Sequence, residues 1–136
     1  MKHAAALGNL GLIERTRGNL DAAEAYLKKS LAINEKLGRQ KGMAAVYGNL
    51  GLIEQTRGNL DAAEAFHKKS LAIEEKLGRQ EGMAGQYGNL GTVYKSRGDT
   101  TQAREFWIQA RDLFAKIGII PERDKYQAAL DRLPKE

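Results

Sequence analysis

The chain has 136 residues, a formal net charge of +5 at pH 7 and a sequence pI near 9.5. It contains no cysteine, which excludes disulfide scaffolds, thiolate metal sites and cysteine nucleophiles. No apolar run approaches the roughly 18 residues of a membrane-spanning helix, and no signal-like segment follows Met1. We therefore expect a cytoplasmic protein without a membrane anchor.

The sequence repeats itself with a period of 40 residues. Residues 4–43 and 44–83 differ at seven of 40 positions, and every glycine except Gly85 falls into columns with this spacing. Such a period is typical of stacked units that cannot bury their apolar faces alone. The sequence predicts a single domain over residues 1–136. Its parts are repeats at about 4–43, 44–83 and 84–118, and a capping helix at about 121–133.

Each repeat is predicted to form two helices joined by a tight turn. In the second repeat Val46, Leu50 and Ile53 recur at helical spacing. Gly58 can adopt the left-handed conformation that ends a helix, and Asn59 can cap the next one. We expect the second helix of this repeat to bury an apolar face. The predicted face consists of Leu60, Ala63, Phe66, Ser70, Leu71 and Leu77.

The last predicted helix begins near Pro121, a residue that is well tolerated in a first helical turn. One face of it carries Tyr126, Ala129, Leu130 and Leu133, and the other face is charged. This composition is typical of a helix that caps a solenoid against water. The prediction is therefore an all-α fold with seven helices.

Three sets of residues share one order along the chain. The third repeat has Tyr87, Leu90, Gly91, Tyr94, Gly98, Ala103, Trp107 and Ala110. The second has Tyr47, Leu50, Gly51, Gly58, Ala63 and Ser70. The first has Leu7, Leu10, Gly11, Gly18, Ala23 and Ser30. This pattern resembles the tetratricopeptide repeat (TPR) family over about residues 3–118.

The period of 40 exceeds the 34 of the common repeat, and Glu14 and Glu54 replace a usual aromatic residue. In its length the repeat resembles the subgroup typified by kinesin light chain and the arrays of bacterial regulators. The resemblance implies an α-solenoid of three helical hairpins. It also implies a non-catalytic scaffold that binds a peptide or a partner helix in a concave groove.

The resemblance places one asparagine of each repeat in this groove, namely Asn9, Asn49 and Asn89. A carboxamide can pair with both the N–H and the C=O of a bound peptide. The remaining predicted groove residues are Leu12, Leu52, Thr92, Arg15, Gln55 and Lys95. The alternative is that each asparagine lies on a solvated helix face or bonds a neighbouring helix.

The recurring glycines and arginines each have two interpretations. One column could let a ligand backbone approach, or could serve small-residue packing; its members are Gly8, Gly48 and Gly88. The other is expected to let paired helices approach closely; its members are Gly11, Gly51 and Gly91. The arginines Arg17, Arg57 and Arg97 could stabilise helix C-termini, where cations are favoured, or could face an acidic ligand.

Catalysis is not expected. The only histidines, His3 and His67, fall in different helical columns, so no triad or metal cluster can be assembled from them. We expect His67 to be a histidine of the interior or its edge, and not a ligand. No metal and no cofactor are predicted.

Nucleic acid is not a predicted partner, because the middle repeat is slightly acidic and interrupts any basic stripe. The expected partner is a protein or a peptide. The alternative function is self-association into a homo-oligomer through an open N-terminal end around Leu7 and Leu10. The abrupt start and the near-identical repeats also fit a piece of a longer array or a designed repeat protein.

Overall fold

The computed structural model describes residues 19–135, and all regular structure within them is α-helical. The helices are α1 (Leu20–Leu37), α2 (Gln40–Arg57), α3 (Leu60–Leu77), α4 (Gln80–Ser96), α5 (Thr100–Lys116) and α6 (Ile120–Arg132). The predicted count of seven is not matched by these six. The first predicted helix falls within residues 1–18, outside the described residues.

The chain divides into two compact units, Met1–Ile73 (the first unit) and Glu74–Glu136 (the second unit). Helices α1 and α2 and most of α3 belong to the first unit. The end of α3 and helices α4, α5 and α6 belong to the second. Between residues 19 and 135, no helix is long and apolar enough to cross a membrane.

Glycines in the left-handed region end the helices, as the sequence predicts. Gly58 has φ 82°, where a residue with a Cβ is strained. Its N–H donates to the carbonyl of Gln55 at 3.0 Å, and the N–H of Asn59 donates to the carbonyl of Glu54 at 2.8 Å. These two bonds satisfy carbonyls that the end of α2 would otherwise leave unpaired.

Short polar side chains begin two of the helices. The Asn19 carboxamide oxygen accepts from the Ala22 N–H at 3.3 Å, and the Asp99 carboxylate accepts from the Gln102 N–H at 3.1 Å. Each bond satisfies an amide that has no partner within its own helix. The turns and caps thus follow directly from the local sequence.

The core of the first unit lies between α1 and α2. It contains Ala23 and Leu27 from α1, and Val46, Leu50 and Ile53 from α2. The last three are the residues whose helical spacing predicts a buried face. That prediction is confirmed.

The face that the sequence predicts for α3 is partly wrong. Ala63 and Ser70 are buried, but Leu77, the last residue of α3, is 42% exposed. The buried face instead includes two titratable side chains, His67 at 0% and Glu74 at 3% exposure. Spacing of four, three and four residues places Ala63, His67, Ser70 and Glu74 on one side of the helix.

Helix α6 covers the core of the second unit. Tyr126 and Leu133 are buried beside Trp107 and Phe114, with Ala129 and Leu130 packed against the cluster. The rings of Tyr126 and Phe114 stack with centroids 5.9 Å apart. Pro121 lies in the first turn of α6. The predicted apolar face of this helix is confirmed.

Candidate peptide-binding site

The described part of the predicted site consists of two sets of three residues. Asn49, Leu52 and Gln55 lie on α2 in the first unit. Asn89, Thr92 and Lys95 lie on α4 in the second unit. Steps of three residues place each set on one side of its helix. The three predicted members from the first repeat, Asn9, Leu12 and Arg15, lie outside the described residues.

Asn49 is half-buried on α2, and within residues 19–135 its carboxamide makes no hydrogen bond. Leu52, one turn further along, is also half-buried. A carboxamide carries two donors and an acceptor, so Asn49 can bind a polar group of a ligand. Leu52 offers an apolar side chain on the same side of the helix.

The Gln55 side chain is hydrogen-bonded to a buried residue of its own unit, His67. Its carboxamide oxygen lies 2.9 Å from Nε2 of His67, so this nitrogen donates. The His67 ring is fully buried, so the histidine predicted for the interior or its edge lies in the interior. This bond fixes the orientation of Gln55.

Gly51 makes room for the His67 ring. A Cβ built at Gly51 would meet Cε1 of that ring at 2.6 Å. In the second unit a Cβ on Gly91 would collide with the indole of Trp107. The space left at each glycine is therefore filled by a ring from the next helix in the chain. The sequence predicts instead that the two helices themselves approach closely.

The side chains of the second set make local hydrogen bonds. Nδ2 of Asn89 donates to the Gln86 carboxamide oxygen at 3.3 Å, and the Thr92 hydroxyl donates to the Gly88 carbonyl at 3.1 Å. Gly85, one turn before Asn89, faces open space. This side of α4 therefore has room for a ligand.

Gly88 faces the core, not a ligand. A Cβ at this position would collide with the Tyr126 hydroxyl, and the Gly88 carbonyl accepts from Nε1 of Trp107 at 3.0 Å. The suggested role of Gly88 in the approach of a ligand backbone is wrong. The small residue serves packing beneath α6.

The charge of Arg57 is balanced by ion pairs within its own unit. Its guanidinium donates to Glu24 and Glu54 at 2.9 Å each, and to Asp21 at 2.6 Å. The hydrogen bonds to Glu24 and then Glu54 raise the pKa of Arg57 above its ordinary value. Glu54 also accepts from Nδ2 of Asn59 at 2.9 Å.

Arg97 occupies the corresponding place in the second unit. Its guanidinium lies 5.2 Å from the centroid of the Tyr94 ring, which is within the range of a cation–π contact. Both described arginines therefore have partners in the fold. This favours the structural interpretation of the column over a row of cations facing an acidic ligand. Arg17 lies outside the described residues.

Burial raises the pKa of two tyrosines among the described residues. Burial, and then the charge of Glu75, raises the pKa of Tyr87, while burial and then Glu122 raise the pKa of Tyr126. Both phenols therefore stay neutral at physiological pH. Between residues 19 and 135 no group of three or more acidic, histidine or cysteine side chains could hold a metal ion.

Models of the tetratricopeptide repeat match residues 2–76 and 83–117. The first match alone covers more than half of the chain. The chain belongs to the tetratricopeptide repeat family. TPRs generally mediate protein–protein interactions and are typically non-catalytic.

Solved TPR structures resemble the chain closely in fold. BtubC (BKLC) from P. vanneervenii shares 27% identity with a TM-score of 0.77, and the match covers 85% of this chain and 48% of that one. A Podosopora anserina structure, assigned to a kinesin light chain with nearly identical TPR-like repeats, shares 23% identity with a TM-score of 0.80. That match covers 97% of this chain and 67% of that one.

The TPR domain of Arabidopsis FLU shares 19% identity with a TM-score of 0.76, covering 87% of this chain and 97% of that one. The chain spans about half the length of BtubC. No curated protein sequence matches it. These similarities support an all-α TPR solenoid of the long-repeat type.

The sequence prediction did not extend the repeat columns into α6. Counting 40 residues onward from Asn89 and Thr92 gives Ala129 and Arg132. Both line a pocket in the second unit, together with the predicted groove residue Lys95. Extending the register past residue 118 would have found them.

Proposed function

We propose that this TPR chain is a non-catalytic scaffold that binds a peptide segment or partner helix through the sides of α2 and α4 that carry Asn49 and Asn89. The observation that carries the proposal is the half-buried Asn49 carboxamide, which makes no hydrogen bond within residues 19–135 and lies beside Leu52. The family's general role in protein–protein interaction supports it.

Hydrogen bonds from the asparagines can supply only part of the binding free energy, so neighbouring residues must supply the rest. A hydrogen bond contributes about 0.5–1.5 kcal/mol net, whereas micromolar binding needs about 8 kcal/mol. The asparagines therefore position the ligand backbone. Leu52 and Thr92 supply apolar contact, while Lys95 supplies a charge.

The test is capture from a peptide library that spans acidic, basic and apolar sequences, at low and moderate salt. The wild-type chain is compared with an Asn49→Ala/Asn89→Ala variant and with Gln109→Ala, which removes an exposed carboxamide from α5. We expect peptides that the wild type and the Gln109→Ala control retain and the double variant loses. Circular dichroism should show equal helicity in all three proteins.

Retention that ignores both asparagines would contradict the proposal. Light scattering on the same samples tests the alternative of self-association, whose predicted residues Leu7 and Leu10 lie outside the described residues. Self-association that persists in the double variant, without any captured peptide, would favour that alternative.

A further inference from the structure

A pocket of about 270 Å³ lies in the second unit, at the end of α4, the start of α5 and the end of α6. Its lining is formed by Lys95, Thr100, Trp107, Ala129, Arg132, Leu133 and Pro134. Trp107 and Leu133 are buried, whereas Lys95 and Arg132 are exposed. The pocket thus combines an apolar floor with two cations at its edge.

Neither cation has an ion-pair partner within residues 19–135. The carboxylates near them in sequence are engaged by other groups. Asp99 accepts from the Gln102 amide at 3.1 Å, and Asp131 accepts from the Gln127 carboxamide at 2.9 Å. Lys95 and Arg132 are therefore available to an anion from solution.

One wall of the pocket is fixed by a further cation. Nη2 of Arg104 donates to the carbonyl of Pro134 at 2.6 Å, which holds the residues after α6 against α5. The preceding repeats have Glu24 and Glu64 in this column. Because this bond restrains Pro134, this wall needs less ordering when a ligand binds.

We propose that this pocket binds a small monocarboxylate whose apolar part is a single ring or a branched chain. Pockets for drug-sized ligands usually enclose about 300–1,000 Å³, so this one suits a smaller molecule. The apolar part packs against the Trp107 indole, and the carboxylate accepts charge-assisted hydrogen bonds from Lys95 and Arg132. This site shares Lys95 with the proposed peptide-binding surface but contains neither Asn49 nor Asn89.

The probe for this site is phenylacetate, and the reporter is Trp107, the only tryptophan of the chain. We expect a saturable change in indole emission with a Kd near or below about 1 mM. Amide shifts of Ala129 and Leu133 in a nuclear magnetic resonance titration provide a second readout. Neutral phenylacetamide should bind at least about tenfold more weakly, because it lacks the charge.

The matched variants separate the pocket cations from a general charge effect. A Lys95→Gln/Arg132→Gln variant should weaken phenylacetate binding at least about tenfold. Lys116→Gln should leave it unchanged, because Lys116 is also a cation in a last helical turn but does not line the pocket. Equal binding of acid and amide, or equal binding by the double variant and the wild type, would overturn the proposal.

Two further outcomes separate this site from the peptide-binding surface. The Asn49→Ala/Asn89→Ala variant should bind phenylacetate as the wild type does, even where its peptide capture fails. If a peptide containing adjacent phenylalanine and glutamate shifts the Ala129 and Leu133 amides while phenylacetate does not, the pocket receives a side chain and the proposal is wrong.

Discussion

The two units share the same 40-residue repeat columns, but they place different types of side chain at the equivalent positions. Where the first unit buries ionisable or hydroxyl side chains, the second has aromatic or small apolar ones at the corresponding positions. The paired positions are Glu54 and Tyr94, His67 and Trp107, and Ser70 and Ala110.

In the first unit each of these polar side chains has a specific partner. Glu54 accepts from Arg57 at 2.9 Å, His67 donates to Gln55 at 2.9 Å, and Ser70 donates to the Ala44 carbonyl at 2.8 Å. A buried polar group without a partner is costly, so the bonds of His67 and Ser70, which join α3 to α2, help to specify how these two helices pack.

In the second unit two of these three columns hold rings. Trp107 packs over Gly91, and Tyr94 stacks on Phe106 with centroids 5.4 Å apart. The column thus fixes where a side chain is buried and how much room a glycine leaves opposite it. Whether hydrogen bonds or apolar area stabilise the position varies between the units.

Removing the largest buried ring should have the largest effect. Trp107→Ala leaves a cavity and removes one of the donors to the Gly88 carbonyl, so we expect a loss of about 3–5 kcal/mol in the free energy of unfolding. Urea denaturation followed by circular dichroism measures it. Trp107→Phe, which keeps a ring, should lose less. Equal losses in the two variants would show that ring packing does not stabilise the second unit.

Two glycines on α4 allow a comparison, because Gly88 faces the core and Gly85 faces open space. Gly88→Ala forces a Cβ towards the Tyr126 hydroxyl and should destabilise the chain by about 1–3 kcal/mol. Gly85→Ala meets no atom and should stabilise the helix by about 0.5–1 kcal/mol. The comparison fails if both substitutions shift the unfolding midpoint in the same direction.

Exchanging one column between the units tests whether its chemistry is transferable. Glu54→Ala removes an acceptor from Arg57 and Asn59, and we expect a loss of about 1–2 kcal/mol. Glu54→Tyr introduces the residue found at Tyr94 and should recover part of this loss by stacking on Arg57. If the tyrosine variant is less stable than the alanine variant, the column cannot accept a ring in the first unit.

The sequence predicts features that depend on neighbouring residues. The left-handed turn at Gly58 needs only a glycine after a helix, and α6 begins beside Pro121 as expected. The buried face of α2 follows from the spacing of Val46, Leu50 and Ile53.

Features that depend on a distant partner could not be predicted in this way. A search for apolar residues passes over Glu74, which is buried in the space that Gly82 leaves open and accepts from Nη1 of Arg79 at 2.8 Å. The role of Gly88 stayed open between ligand approach and packing, because nothing in its own helix shows that Tyr126 covers it. Of the candidate site, the sequence gives the helix positions of Asn49 and Asn89, but not the hydrogen bonds that distinguish them.

The smallest expected effect concerns the ionisation of Tyr126. Burial, and then Glu122, raises the pKa of its phenol above the ordinary value of 10.0. The unfolded chain therefore loses this proton at a lower pH than the folded one. The stability that the neutral phenol contributes is complete below about pH 10 and declines as the pH rises through the folded pKa.

Tyr126→Phe isolates this contribution, because every other titratable group is present in both proteins. The difference in unfolding free energy between variant and wild type should stay constant up to about pH 9. It should then shift in favour of the variant by no more than about 1.4 kcal/mol per pH unit. Urea titrations at several pH values on both sides of 10 measure it. A constant difference throughout would mean that the buried phenol ionises as readily as an exposed one, and that α6 does not shield it from water.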